Sequence, residues 1–274
     1  MAAASFYVVK DHVGTESRID ATFASTEHTV GPWSADLQHA SPPTALLMRA
    51  VQQLGGPSAP VPPDALPARL TAEIFRPVPV ADLHVRASLH RPGRRVAWAS
   101  ADLATTDEPD RPIMRAHVWL VRRAQQPLDI PSTPTEPAPG PGRAQPLPGT
   151  WGGGYLHAVR WELTAGSLAE PGPATVWTRL LVDLVDVEPT TGAQHAAVVA
   201  DAGSGISAVA DPSQLVFVNT ELTIHLHREP VGSAVWLAGR TTLDPHGIGY
   251  VHTRLGDANG AVGAADQTLY VDPR

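Results

Sequence analysis

Along most of the chain, apolar and polar residues alternate over stretches of about ten residues. Only twice does the spacing change to that of a helix. Residues 6–9 and 18–29 read as short strands, and a helix from about 42 to 54 follows them. Within it Leu47, Ala50, Val51 and Leu54 fall at i, i+3, i+4 and i+7, which makes one buried stripe. Ser41 is the expected N-cap, Pro42 and Pro43 suit the first turn, and Gly55-Gly56 close the far end. Strands are then predicted over 68–76, 82–90, 95–105 and 113–122, separated by Pro, Gly or Asp turns. In the first of these Leu70, Ala72 and Ile74 alternate with Thr71, Glu73 and Phe75, as on a sheet with one covered face. One helix over an antiparallel sheet is an α+β layer pair.

The plan then recurs. Strands over 155–163 and 174–182 precede a helix over 191–202, and strands over 216–228, 234–242, 249–256 and 261–271 follow. Setting 70–76 against 222–228 matches apolar with apolar, Thr71 with Thr223 and Arg76 with Arg228, so the halves read as weak internal repeats. Between them, 124–150 carries prolines at 127, 131, 134, 137, 139, 141, 146 and 148 and little apolar residue. Such a segment cannot enter a helix or a ladder and is expected to run as an extended tether. The expected organisation is therefore a repeat over 1–123, a Pro-rich linker over 124–150 and a second repeat over 151–274.

The second helix ends on an acid. In the run from His195 to Gly205, Ala and Val fill the turns, Asp201 arrives at the C-terminus, and Gly203 and Gly205 are expected to close the helix with positive φ. A carboxylate at the negative end of a helix dipole is disfavoured by roughly 0.3–1 kcal/mol. A carboxylate in so costly a place is a candidate for chemistry.

Composition narrows that chemistry. With no cysteine among 274 residues there is no thiolate nucleophile, no Cys-bearing zinc site and no disulfide. Lys10 is the only lysine, which argues against a Schiff base. The net charge of −7 and the lack of a polybasic run argue against nucleic acid and anionic membrane surfaces as partners. No signal-like start and no run of 18 apolar residues occurs, so the expected compartment is the cytoplasm. His225 and His227 share a strand face but have no third ligand at a clear spacing; no metal and no cofactor are expected. Gly203-Ser204-Gly205 lacks the strand and helix context of a phosphate loop. The seven tryptophans are scattered and read as core or interface anchors.

Four stretches together resemble the acyl-CoA thioesterase II family, in its actinobacterial thioesterase-like branch. The first is Gly31-Pro32-Trp33 leading to His39-Ala40-Ser41-Pro42-Pro43-Thr44-Ala45-Leu46-Leu47, similar to the family's His-Gly-Gly-Pro-Pro-Ala-Ala-Leu-Leu at the start of its first central helix. The others are Val199-Ala200-Asp201, Asn219-Thr220-Glu221-Leu222-Thr223 running on to His227-Arg228, and Asp266-Gln267-Thr268-Leu269. The resemblance implies a double hot-dog: two repeats, each with a long helix packed on an antiparallel sheet. It also implies that Asp201, Gln267 and Asn219 hold the water that attacks a thioester, Asn219 standing where the family has Thr or Ser. His39, Ser41, Gly203 and Ser204 are the candidate substrate contacts around them. The expected partner is a fatty-acyl or related CoA thioester, and homo-oligomers can form through the sheet edges. The alternative is a binding protein for acyl or other hydrophobic ligands that kept the fold without turnover.

Overall fold

The computed structural model describes residues 4–62, 64–131, 133–147, 152–210 and 214–274. Its first half supplies β1 (Ser5–Gly14), β2 (Arg18–Ser25), α1 (Ser41–Gln52), β3 (Leu66–Ile74), β4 (Asp82–Arg91), β5 (Val96–Thr105) and β6 (Met114–Val121). A short β7 (Arg143–Ala144) precedes α2 (Gly154–Ala158), β8 (Val159–Ala165), β9 (Ala174–Leu180), β10 (Asp183–Val185), α3 (Gly192–Ala200) and α4 (Gly203–Ile206). The chain ends with β11 (Leu215–Asn219), β12 (Glu221–Leu226), β13 (Val235–Asp244), β14 (Ile248–Asp257) and β15 (Gly260–Pro273).

One sheet takes in these strands in the order β10-β1-β2-β4-β5-β6-β3-β12-β15-β14-β13-β9-β8-β7, with β11 added to β15 off that path. Outward from the seam of β3 against β12, the order is β6, β5, β4, β2, β1 on one side and β15, β14, β13, β9, β8 on the other. The two stretches with matching patterns therefore lie side by side. Leu70 faces Ile224, Thr71 faces Thr223 and Ala72 faces Leu222 in antiparallel register, and Thr223 Oγ1 donates to Thr71 Oγ1 at 3.2 Å.

Helices α1 and α3 pack on the sheet and on each other. Gln194, at the start of α3, donates from Nε2 to Oε1 of Gln52, at the end of α1, at 2.9 Å, so the two helices run antiparallel. α1 is buried from Ser41 to Val51, well beyond the single predicted stripe, because it has the sheet beneath it and α3 alongside. Fully buried Leu46 and Leu47 each stabilise the fold by roughly 1.5–3 kcal/mol.

Several local expectations are corrected. The N-cap of α1 is Ala40, with no side-chain cap, and Ser41 is the first helical residue. Residues 155–158 form α2 rather than the start of a strand. The strand predicted over 216–228 is broken at Thr220, whose N–H still bonds Thr268 O on β15 at 3.1 Å before the register along β15 shifts. Neither Gly203 nor Gly205 has positive φ: α3 ends at Asp201 in right-handed helical geometry, and α4 starts two residues later. The Pro-rich stretch lies along the second half: Ala261 N–H bonds Glu136 O at 2.9 Å, Trp177 Nε1 bonds Gly140 O at 3.0 Å, and Arg143 pairs with Leu163. Its expected end at 148–150, Pro148 included, lies outside the described residues.

Candidate active site

Asp201 is placed by α3. A capping box fixes the start of that helix: Gln194 N–H donates to Thr191 Oγ1 at 3.3 Å, and Thr191 N–H donates to Gln194 Oε1 at 3.1 Å. From there Ala and Val, buried on every side, carry the chain to Asp201, which is 4 % exposed. A carboxylate this deep must be hydrogen-bonded, and it is. Gln267 Nε2 donates to its Oδ1 at 2.9 Å and reaches its backbone carbonyl at 3.2 Å. Asn219 Nδ2 donates to the same Oδ1. The acid, which closes a helix, thus meets two amides carried by different strands, 18 and 66 residues further along the chain.

The strands explain the meeting. Gln267 lies on β15 opposite Val251, with its side chain on the buried inner face beneath α3 and α4. Asn219 is the last residue of β11, paired with Leu269, and past the break at Thr220 β12 resumes on β15 in a shifted register while its other edge joins β3.

The fourth polar group comes from the first half. Because α1 runs antiparallel to α3, His39, just ahead of α1, arrives at Asp201, with Nδ1 3.2 Å from Oδ2. Ser41 N–H also stands 3.2 Å from Nδ1. A ring nitrogen serves one of these partners at a time: carrying a proton it donates to Asp201, and without one it accepts from Ser41. Burial pushes the His39 pKa below its usual range, against a smaller upward pull from Asp201, so the ring is neutral near pH 7. Its face stacks on Tyr155, with ring centres 3.9 Å apart, and Tyr155 OH donates to Val198 O at 2.9 Å.

The remaining candidates divide. Ser41 is fully buried in the first turn of α1 and touches the cluster through its N–H. With Pro42 and Pro43 next, that turn has few backbone donors to offer a developing oxyanion. Gly203 is pressed against the site: a Cβ there would fall 2.0 Å from Thr253 Oγ1 and 3.3 Å from Gln267 Oε1. Close approach, rather than positive φ, is why this position is glycine. Ser204, half-buried on α4, takes no part in the hydrogen bonds around Asp201.

Tyr155 and Thr253 were missed from sequence. For Tyr155 a signal existed in the triplet Gly152-Gly153-Gly154, since a Cβ on Gly154 would lie 1.7 Å from Glu27 O. Such a triplet marks backbone approaching backbone, which brings the next side chain inward. Thr253 sits in an ordinary alternating strand and gives no comparable sign. Among the described residues, no three His, Asp or Glu side chains gather as a metal site, and no helix is long and apolar enough to cross a membrane.

An antiparallel sheet backing two long helices, with polar groups gathered where one helix ends against the other's start, defines the class first: this is an α+β protein of the hot-dog fold. The chain belongs to the acyl-CoA thioesterase family. The family model of the acyl-CoA thioesterase C-terminal domain matches residues 132–271, and that of the N-terminal domain matches 29–121. Among solved structures it is similar to acyl-CoA thioesterase II TesB2 from Mycobacterium marinum, at 13 % identity over 96 % of both chains with a TM-score of 0.65. It is likewise similar to the tesB protein of Mycobacterium avium subspecies paratuberculosis, at 13 % identity over 97 % of this chain and 96 % of that one, TM-score 0.67. A conserved protein with a hot dog fold from Alicyclobacillus acidocaldarius matches at 13 % identity over 96 % of both chains, TM-score 0.67. No curated protein matches the chain.

Proposed function

We propose that this protein hydrolyses fatty-acyl or related CoA thioesters with a water molecule activated at Asp201, and that Gln267 and Asn219 orient the carboxylate and that water. The observation supporting this most directly is the convergence of both amides on one carboxylate oxygen, Oδ1. With Oδ1 occupied, Oδ2 is the oxygen left to receive a proton, and it lies on the His39 side. The water oxygen attacks the thioester carbonyl carbon as its proton passes to Asp201, and the tetrahedral intermediate collapses by breaking the C–S bond. The departing thiolate takes that proton, which leaves a carboxylic acid, CoA thiol and the original carboxylate. No covalent intermediate on the protein is required, in keeping with a chain without cysteine.

Approach is from the side of His39 and the half-buried Asn219, since Asp201 and Gln267 lie beneath them at 4 % and 1 % exposure. Asn219 differs from a hydroxyl residue in offering two donors and an acceptor in one plane, which fixes the carboxylate more firmly than a rotatable hydroxyl does. We also read 1–123 and 151–274 as copies of one unit tethered by 124–150, a reading supported by the common strand order on both sides of the seam.

The test is a panel of acyl-CoAs of increasing chain length assayed with the wild type and Asp201→Asn. Loss of the general base is expected to lower kcat by about 10²–10⁴-fold on every hydrolysed substrate. Equal rates for the two proteins would remove Asp201 from the mechanism. Stoichiometric acyl-CoA binding without hydrolysis by the wild type would establish the ligand-binding alternative.

A further inference from the structure

Three buried side-chain oxygens in or beside the Asp201 cluster have no hydrogen-bond partner: Ser41 Oγ at the start of α1 and, on the sheet, Gln267 Oε1 and Thr253 Oγ1. It is the sheet pair that shares a face. Thr253 is fully buried on β14 and Gln267 is 1 % exposed on β15. The register sets Val251 opposite Gln267 and Thr253 opposite Ala265, so the two are diagonal neighbours on one inner face. Both oxygens also border Gly203: the point where its Cβ would lie is 2.0 Å from Thr253 Oγ1 and 3.3 Å from Gln267 Oε1, which leaves the oxygens no more than about 5 Å apart.

An amide side chain has two ends of nearly the same shape but opposite roles, an oxygen that accepts and an NH2 that donates, so its orientation is set by the partners on each side. Asp201 selects Nε2 through Oδ1 and through its backbone carbonyl. That choice sends Oε1 to the far side, where an acceptor without a donor costs roughly 1–3 kcal/mol. The Thr253 hydroxyl is a buried side-chain donor without a partner, and it borders Gly203 together with that oxygen. Were the amide reversed, Oε1 would face a carboxylate oxygen and repel it, and Nε2 would face a hydroxyl.

We propose that Thr253 is a positioning residue: its hydroxyl donates to Gln267 Oε1, after a small side-chain rotation, and so holds the Gln267 amide with Nε2 turned toward Asp201. Gly203 is the opening that permits this, since any side chain there would displace the Thr253 hydroxyl. Thr253 acts through Gln267 and does not touch the substrate. The inference rests on the hydrolytic reading for its kinetic consequence, though its structural content stands apart from turnover.

The test uses the full chain with Thr253→Val, which keeps the volume and removes the donor, and Thr253→Ser, which keeps the donor. For acyl-CoA hydrolysis, Thr253→Val is expected to lower kcat roughly tenfold with KM unchanged, and Thr253→Ser to restore kcat to within about twofold. Solvent exchange of the Gln267 side-chain amide protons, followed by NMR and assigned by their loss in Gln267→Ala, is expected to be at least tenfold faster in Thr253→Val and near wild type in Thr253→Ser. Should Thr253→Val fail to fold, Thr253→Ala takes its place in both measurements. Wild-type kcat and amide exchange in the donor-free variant would overturn the proposal, even with Asp201→Asn inactive and the hydrolytic reading intact. If the wild type hydrolyses no acyl-CoA, the exchange measurement decides alone: faster exchange without the hydroxyl upholds the positioning role, and unchanged exchange ends it.

Discussion

At the scale of the residue, burial does most of the tuning. His39 and His195 are both held neutral by loss of water, but only His39 faces the candidate site. His195, on α3, is 6 % exposed, with Nε2 3.3 Å from Thr178 Oγ1. Burial first, and nearby Arg179 second, lower its pKa from 6.5 to about 4. Between those values the unfolded chain binds a proton that the native ring refuses, so stability falls as pH drops from 6.5 toward 4 and is fully present above 6.5. A shift of that size corresponds to roughly 3 kcal/mol. Urea unfolding at pH 7 and pH 4.5 is expected to show a flatter pH dependence for His195→Gln than for the wild type. The acid could be singled out from its place at a helix C-terminus, but the amides were legible only through likeness to a family; no periodicity announces that Asp201, Asn219 and Gln267 meet. Tyr155 left a sign only in the glycine triplet before it, whose meaning depends on contacts with a segment more than 100 residues earlier.

At the scale of the element, boundaries carry the chemistry. The two long helices and most strands could be read from the spacing of apolar residues, because the sheet buries one face of each strand and the helices cover it. What could not be read were the interruptions: α3 giving way to α4, and β11 to β12 at Thr220. Both depend on tertiary partners, Thr253 and Gln267 for the first and Thr268 for the second. Gly203 was read as a helix terminator and is instead a contact point, which gives it a consequence of its own. In Gly203→Ala the methyl group would lie 2.0 Å from Thr253 Oγ1, so the hydroxyl must rotate away from its place or α4 and β14 must move apart. The expected destabilisation is about 1–3 kcal/mol, read as a lower urea midpoint with an unchanged m-value. Gly205→Ala, where a Cβ meets nothing within 4 Å, is the matched control.

At the scale of the whole molecule, the antiparallel helix pair makes two comparable corners. At one, His39 ahead of α1 meets Asp201 at the end of α3. At the other, Arg49 near the end of α1 meets Glu188 ahead of α3, Nε to Oε1 at 2.7 Å, with the guanidinium also over the Phe23 ring. The first corner gathers amides around an acid and the second holds a cation 4 % exposed, so chemistry is expected at one corner and cohesion at the other. Glu188→Gln leaves Arg49 buried without its counter-charge. Because Glu188 is 41 % exposed, the cost is expected to be about 1–3 kcal/mol, below that of a wholly buried pair. Thermal unfolding reads that cost, and hydrolysis by the folded fraction is expected to stay at the wild-type rate. In the proposed hydrolysis water, rather than a protein oxygen, attacks the thioester. A single turnover of excess enzyme with acyl-CoA in oxygen-18 water tests this most directly. Attack by water predicts one heavy oxygen in the fatty acid released in that first turnover and none in the Asp201 peptide; an unlabelled first-turnover acid, with the label appearing in Asp201, would contradict it.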